Sequence, residues 1–300
     1  MGINISSNYI PAININTGIS VSGTLSVNSN SLYDVTNYQT VNITGAEDLL
    51  KTRLNTPSQI TSYSNDNLTY LAPATFYSTG ITAVDLTACT SIGSYTFYQC
   101  SSLTTANFPS CTTIGNYAFS GCYLLSTVSF PACTSMGNYA VFYSCRSLTS
   151  VDFPVCINVG VSAFRGCSSL TTANFPSCTR IGNYAFSGCY LLSTVSFPAC
   201  TYITNYAFAY CYLLSSVSFP SCTRIGSAAF RNCYHLLSLY LLGSSLCSLG
   251  NANAFSSTPI SGYTTSTGGV YGSIYVPASL YNSYIVSTNW VNYSSRFVSV

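Results

Sequence analysis

The stretch Leu103-Thr104-Thr105-Ala106-Asn107-Phe108-Pro109-Ser110-Cys111-Thr112-Thr113-Ile114-Gly115-Asn116-Tyr117-Ala118-Phe119-Ser120-Gly121-Cys122-Tyr123-Leu124 decides the fold, because it recurs. Prolines fall at Pro109, Pro131, Pro154, Pro176, Pro198 and Pro220. Cysteines follow two residues later, from Cys111 through Cys133, Cys156, Cys178 and Cys200 to Cys222, with Cys89 one step upstream. A second series runs Cys100, Cys122, Cys145, Cys167, Cys189, Cys211, Cys233. The steps are 22 residues, with one of 23, whose extra residue lies within Asn138–Phe142 and reads as a one-residue bulge. Fixed self-similarity of this length is the signature of a solenoid.

Within the unit, Leu103, Ala106 and Phe108 read as a short inward-facing strand closed by Pro109, since proline cannot continue a central ladder. Ile114 marks a second extended piece, and Gly115 is expected to turn the chain through a positive φ. Tyr117-Ala118-Phe119 reads as a helical or 3₁₀ turn ending near Cys122. One unit has too few large apolar side chains to fold alone. Stacking gives each unit a neighbour to bury against and a strand to pair with. About seven units, from near Ile81 to near Leu242, should form one rod.

The strand with its closing proline, Leu125–Pro131, and the motif Ile-Gly-x-Tyr-Ala-Phe-x-x-Cys at Ile181–Cys189 resemble the BspA-type leucine-rich repeat, also found in treponemal surface proteins. The likeness runs over about residues 68–277 and departs from the family where Cys follows the proline in place of Ser or Val. It implies a mainly β, right-handed leucine-rich-repeat solenoid of about seven 22-residue units. It also implies the company of surface adhesins and of repeat proteins in phages of gut bacteria. The expected division is an N-terminal β module over 1–45, a helix or linker over 46–67, the solenoid over 68–242 and a C-terminal cap over 243–300.

Composition narrows function. Only 5% of the 300 residues are charged, against about 25% in an ordinary soluble domain. With 26 Tyr and 16 Phe the chain does not read as disordered. A net charge of +2 gives no footprint for nucleic acid or for anionic membrane. No long uncharged apolar run is present, so no membrane insertion is expected. Near-neutrality removes self-repulsion and favours a homo-oligomer or a large assembly. Met1–Asn8 has neither a basic region nor an apolar run, so no secretory signal is expected.

Fifteen cysteines without a Cys-x-x-Cys pair read as two inward ladders of free thiols acting as small hydrophobes. Inter-rung disulfides and a zinc site are the alternatives, zinc being disfavoured by a single histidine, His235. Free thiols suit synthesis in a reducing cytoplasm. A Cys233–His235 dyad is conceivable, but a polar residue ending the last coil is the plainer reading. With six carboxylates scattered along the chain, and no phosphate loop, dinucleotide fingerprint or zinc motif, neither an enzyme nor a cofactor is expected. No metal-ligand set is found either.

The outward strand positions form a hydroxyl-rich candidate binding surface: Thr105, Asn107, Thr127, Ser129, Ser150, Asp152, Thr172, Asn174, Thr194 and Ser196, continued by Ser216 and Ser218. Arg180 and Arg224 share one unit position, as do Arg165 and Arg231, and either pair could meet acidic glycans or merely solubilise the rod. Leu103–Thr134 recurs at Leu170–Thr201 with the single change of Thr113 to Arg180. Such a surface suits avid contact or rigid spacing, where an enzyme needs one unique constellation.

Beyond the repeats, Ser256–Gly272 is a polar insertion, Ser273–Pro277 restores a strand, and Ala278–Ile285 reads as a short helix. Trp290, Tyr293, Phe297 and Val298 finish a cap or, alternatively, a carbohydrate-stacking site. This tail resembles the endings of gut phage and Firmicute repeat proteins. The segments Gly23–Val27, Tyr33–Tyr38 and Val41–Ile43 are similar to β modules of phage fibres, and Ala46–Leu54 reads as a helix carrying Glu47, Asp48, Lys51 and Arg53. Together these expectations point to a phage virion component, a fibre, spike or decoration protein. Its N-terminal module would meet other virion proteins, and its rod would meet a host-surface glycan or protein. A BspA-like cell-surface adhesin is the alternative.

Overall fold

The computed structural model describes residues 68–300 continuously, with the short strands Thr24–Ser26, Leu32–Asp34, Thr40–Val41 and Ser62–Ser64 before them. The helix expected over Ala46–Leu54 lies outside the described residues. Thr24–Ser26 and Leu32–Asp34 pair antiparallel. Every later pairing is parallel and joins one turn to the next.

Each turn contributes one longer strand. Thr105–Asn107, Thr127–Ser129, Ser150–Asp152, Thr172–Asn174, Thr194–Ser196, Ser216–Ser218 and Ser238–Tyr240 are the regular set. Side chains alternate across a strand, so the middle residue points inward: Ala106, Val151, Ala173, Val217 and Leu239 are buried between exposed or half-buried neighbours. The ladder outruns the units legible as motif. Ser62–Ser64 pairs with Ala83–Asp85 upstream, and Ser273–Val276 and Phe297–Ser299 continue it downstream. A second ladder is built from two-residue strands such as Thr113–Ile114, Arg180–Ile181 and Arg224–Ile225, with the isoleucine buried. This second ladder is interrupted between Ser135–Met136 and Asn158–Val159, at the 23-residue turn; the longer-strand ladder is interrupted at the same turn and again between Thr194–Ser196 and Ser216–Ser218.

The Tyr-Ala-Phe segment corrects part of the sequence reading. It makes 3₁₀-type turns ending at Cys122, with Ser120 and Cys122 donating back to Tyr117 and Phe119 at 3.2 Å, but no continuous helix, because the intervening N–H groups point to the next turn. Tyr117, Phe119 and Gly121 donate to the carbonyls of Tyr139, Val141 and Tyr143 at 3.0, 2.8 and 2.8 Å. Tyr184, Phe186 and Gly188 repeat the pattern onto Asn205, Ala207 and Ala209. This third ladder requires left-handed residues at both ends of the segment: Tyr117 has φ 57° and Gly121 φ 79°. A non-glycine residue there costs about 1–2 kcal/mol, offset by bonds to the adjacent turn.

Gly115 is a second correction. It is not among the positive-φ residues; the turn is made at Tyr117. Glycine is needed at 115 because a Cβ would lie 2.6 Å from the carbonyl carbon of Gly93 and 2.8 Å from Ser94 Cα. Thr204 stands at the equivalent position of one turn, where its hydroxyl donates to the Ile181 carbonyl at 2.8 Å. Gly115→Ala is therefore expected to lower stability by about 1–3 kcal/mol, the range for overpacking. At an unstrained site the same change would stabilise. Chemical denaturation of the full chain measures the sign.

Two phenylalanine files fill the core. Phe97, Phe119, Phe142, Phe164, Phe186, Phe208, Phe230 and Phe255 stack face to face, and Phe108 to Phe219 form a second file meeting the first mostly edge-on. All fifteen cysteines are buried and free. The thiols do more than fill space. In the second series each S–H donates to a phenylalanine carbonyl of the preceding turn, as Cys122 to Phe97 at 3.0 Å and Cys167 to Phe142 at 3.1 Å. In the first series the partner is the carbonyl two residues on, as Cys111 to Thr113 at 3.2 Å. Burial pushes most of the thiols up from their ordinary 9.0, Cys89 to about 11 and Cys111 and Cys178 to about 12, whereas hydrogen bonds with Cys133 and Cys247 hold Cys156 and Cys222 down.

The C-terminal aromatics close the open end. Tyr281–Val286 is helical, as expected, and Tyr284, Trp290, Tyr293 and Phe297 are buried. The Trp290 indole N–H donates to the Cys247 carbonyl at 2.6 Å, and the Tyr284 hydroxyl accepts from the Cys247 N–H at 2.9 Å. Rings so placed cannot stack on a sugar, so the capping alternative holds.

Candidate binding surface

The longer strands place two outward rows side by side. Asp85, Asn107, Ser129, Asp152, Asn174, Ser196 and Ser218 form one; Thr105, Thr127, Ser150, Thr172, Thr194 and Ser216 form the other. Registered pairing fixes Asp85, Asn107 and Ser129 side by side, and likewise Asp152, Asn174 and Ser196, with the ladder broken between these blocks and again before Ser218. The threonine or serine just before each strand is not part of this offering. Thr104, Ser126, Thr171 and Ser193 spend their hydroxyls on carbonyls of the preceding turn. Asn107 donates to Asp85 at 2.9 Å, and Asn174 donates to Asp152 at 2.8 Å. The same Asp–Asn pair thus appears twice on one face, and the two remaining carboxylates among the described side chains are occupied in it.

All twelve strand positions of the hydroxyl-rich surface lie on this face. Arg180 and Arg224 do not. They occupy outward positions of the second ladder, with Tyr202 between them in register. Arg165 lies over the Tyr184 ring at 5.2 Å and Arg146 over Tyr123 at 5.1 Å.

Sequence reasoning missed the surface tyrosines. Tyr190, Tyr212 and Tyr234 stack at 5.0 Å spacing, and Tyr240 stacks on Tyr275 at 4.4 Å at the end of the hydroxyl rows. The signal was present as a Tyr after the second cysteine of four units, Cys122, Cys189, Cys211 and Cys233. These rings cover one another's faces, so they offer edges and hydroxyls along the file.

His235 Nδ1 lies 2.7 Å from the Tyr212 carbonyl, while the Cys233 thiol donates to Phe208. The two do not form a dyad. No group of three or more His, Cys, Asp or Glu among the described residues could hold a metal ion. No helix among the described residues is long and apolar enough to cross a membrane.

Parallel ladders, an inward strand residue on each turn and a capped end define a leucine-rich-repeat solenoid. The BspA type leucine rich repeat region matches residues 52–141 and 135–262 in six copies, and the chain belongs to that family. Among solved structures, a leucine-rich repeat protein from Bacteroides ovatus is 20% identical, covering 86% of this chain and 71% of its own, with a TM-score of 0.50. A T. pallidum leucine-rich repeat protein is 23% identical over 66% of this chain and 83% of its own, TM-score 0.46. A leucine rich cell surface protein from Faecalibacterium prausnitzii is 18% identical over 87% and 90%, TM-score 0.40. The likeness at this identity is one of fold. No curated protein matches significantly.

Proposed function

We propose that this chain is a non-enzymatic binding protein of a phage virion, whose solenoid presents its hydroxyl-rich face to a host-surface glycan or protein. The observation that carries the binding reading is the duplicated Asp–Asn pair on a hydroxyl-rich face. Weak contacts repeated on one rigid rod gain by avidity without any one being strong. The virion reading draws support from fifteen buried, free thiols, which suit folding in a reducing host cytoplasm. The N-terminal segment is then the attachment to other virion proteins.

A second reading, a bacterial surface adhesin, is favoured by membership of the BspA type family. Antibody against the solenoid separates the two. Purified virions from the source should carry the chain. If they lack it and intact bacterial cells are labelled instead, the adhesin reading replaces the virion one.

A further inference from the structure

We infer that Arg180, Tyr202 and Arg224 form an anion-binding site for an acidic polysaccharide with one carboxylate on every second sugar. The site lies off the hydroxyl-rich face, so its failure would leave the reading of that face intact.

The three residues are consecutive rungs of the short-strand ladder. The Arg180 guanidinium carbon lies 4.9 Å from the Tyr202 ring centroid and that of Arg224 5.2 Å, one from each flanking rung. The two carbons are therefore at most about 10 Å apart, consistent with two rungs of about 4.8 Å. Two like charges share one ring with no carboxylate between them. Asp85 and Asp152, the carboxylate side chains among the described residues, sit on the other face and are bonded to asparagines. Both arginines are exposed.

Stacking on the ring is favourable for a cation. It also holds each guanidinium against the ring, and a guanidinium so held can grip a carboxylate or sulfate through two N–H groups. Asn158 beside Arg180 and Ser248 beside Arg224 are exposed and extend the track to five rungs with neutral hydrogen-bonding groups. Those groups suit the hydroxyls of intervening sugars.

Charge spacing selects the polymer. A nucleic acid strand carries a phosphate every 3.4 Å or so along the axis. Against two arginines about 10 Å apart, most of its phosphates would go unmatched. An extended chain with an anion on alternate sugars has sparse charges and hydroxyls between them, as the track does.

The test uses the full chain over immobilised hyaluronan, with neutral dextran and poly-dT as the other arms. Binding to hyaluronan is expected, weakening with salt as for about two released ions. Arg180→Ala combined with Arg224→Ala should weaken it about tenfold or more. Tyr202→Leu should also weaken it while leaving the charge intact. Arg165→Ala with Arg231→Ala should change nothing. Arg180→Gln with Arg224→Gln repeats the first test should the alanine variant not fold. No binding to hyaluronan, tighter binding to poly-dT, equal binding to dextran, or equal losses in both arginine pairs would each overturn the inference.

Discussion

Phe164→Ala is expected to break the cooperative unfolding of the rod into separate transitions. Phe164 is fully buried, stacked at 5.2 Å on both Phe142 and Phe186 and edge-on to Phe153 and Phe175 at 6.1 and 5.8 Å. Truncating a core phenylalanine costs about 3–5 kcal/mol. In a compact domain that loss is spread over the whole molecule. In a solenoid each turn touches only its neighbours, so the loss falls on two interfaces. Hydrogen exchange should quicken across Phe142–Phe186 while amides near the Trp290 cap keep their protection. One unaltered calorimetric transition would show that the turns do not behave as nearest neighbours.

Alkali should unfold the chain. The sign follows from the thiols. Burial raises Cys89 to about 11 and Cys111 and Cys178 to about 12, from an ordinary 9.0. The unfolded chain therefore releases these protons first, and stability falls as pH rises. The contribution is whole below about pH 9 and is lost progressively through pH 11–12. At 1.36 kcal/mol per pH unit, these three groups alone amount to roughly 10 kcal/mol, comparable to the total stability of a typical domain, about 5–15 kcal/mol. Tyr284 in the cap, raised to about 12 by burial, works in the same direction. Melting temperature followed by circular dichroism from neutral pH upwards should be flat, then drop steeply. A flat profile to pH 12 would mean that water reaches the thiols.

Much of this architecture is legible in the sequence, and the reason is repetition. Pro109 and its equivalents mark where strands stop, and the cysteines mark what points inward. Averaging over seven units removes the ambiguity of any one. Trp290 and Tyr284 were recognisable as a cap because a solenoid's last turn must be covered. What was hidden depends on neighbouring turns. Tyr117-Ala118-Phe119 reads as helix locally, and only the adjacent turn's carbonyls make the alternate-handed ladder preferable. Gly115 invites a conformational explanation, yet its reason is the backbone of Gly93 and Ser94. Tyr202 stands at a position that varies from unit to unit, and its meaning emerges only once Arg180 and Arg224 are seen on the rungs beside it.

The three ladders have a consequence for how the gene can change. Most turns present their successors with the same template, so most junctions between turns resemble one another. The copied blocks Leu103–Thr134 and Leu170–Thr201 sit three turns apart and are bonded in the same way. Recombination between such copies removes or adds whole turns and leaves both seams in register, altering reach by about 14 Å for three turns at roughly 4.8 Å each. A slip of one residue is contained as well. At the 23-residue turn the short-strand ladder is interrupted, while Ala140, Phe142 and Ser144 still donate to Val161, Ala163 and Arg165. The rod's length is thus a quantity that selection can adjust in steps, independently of what its faces bind.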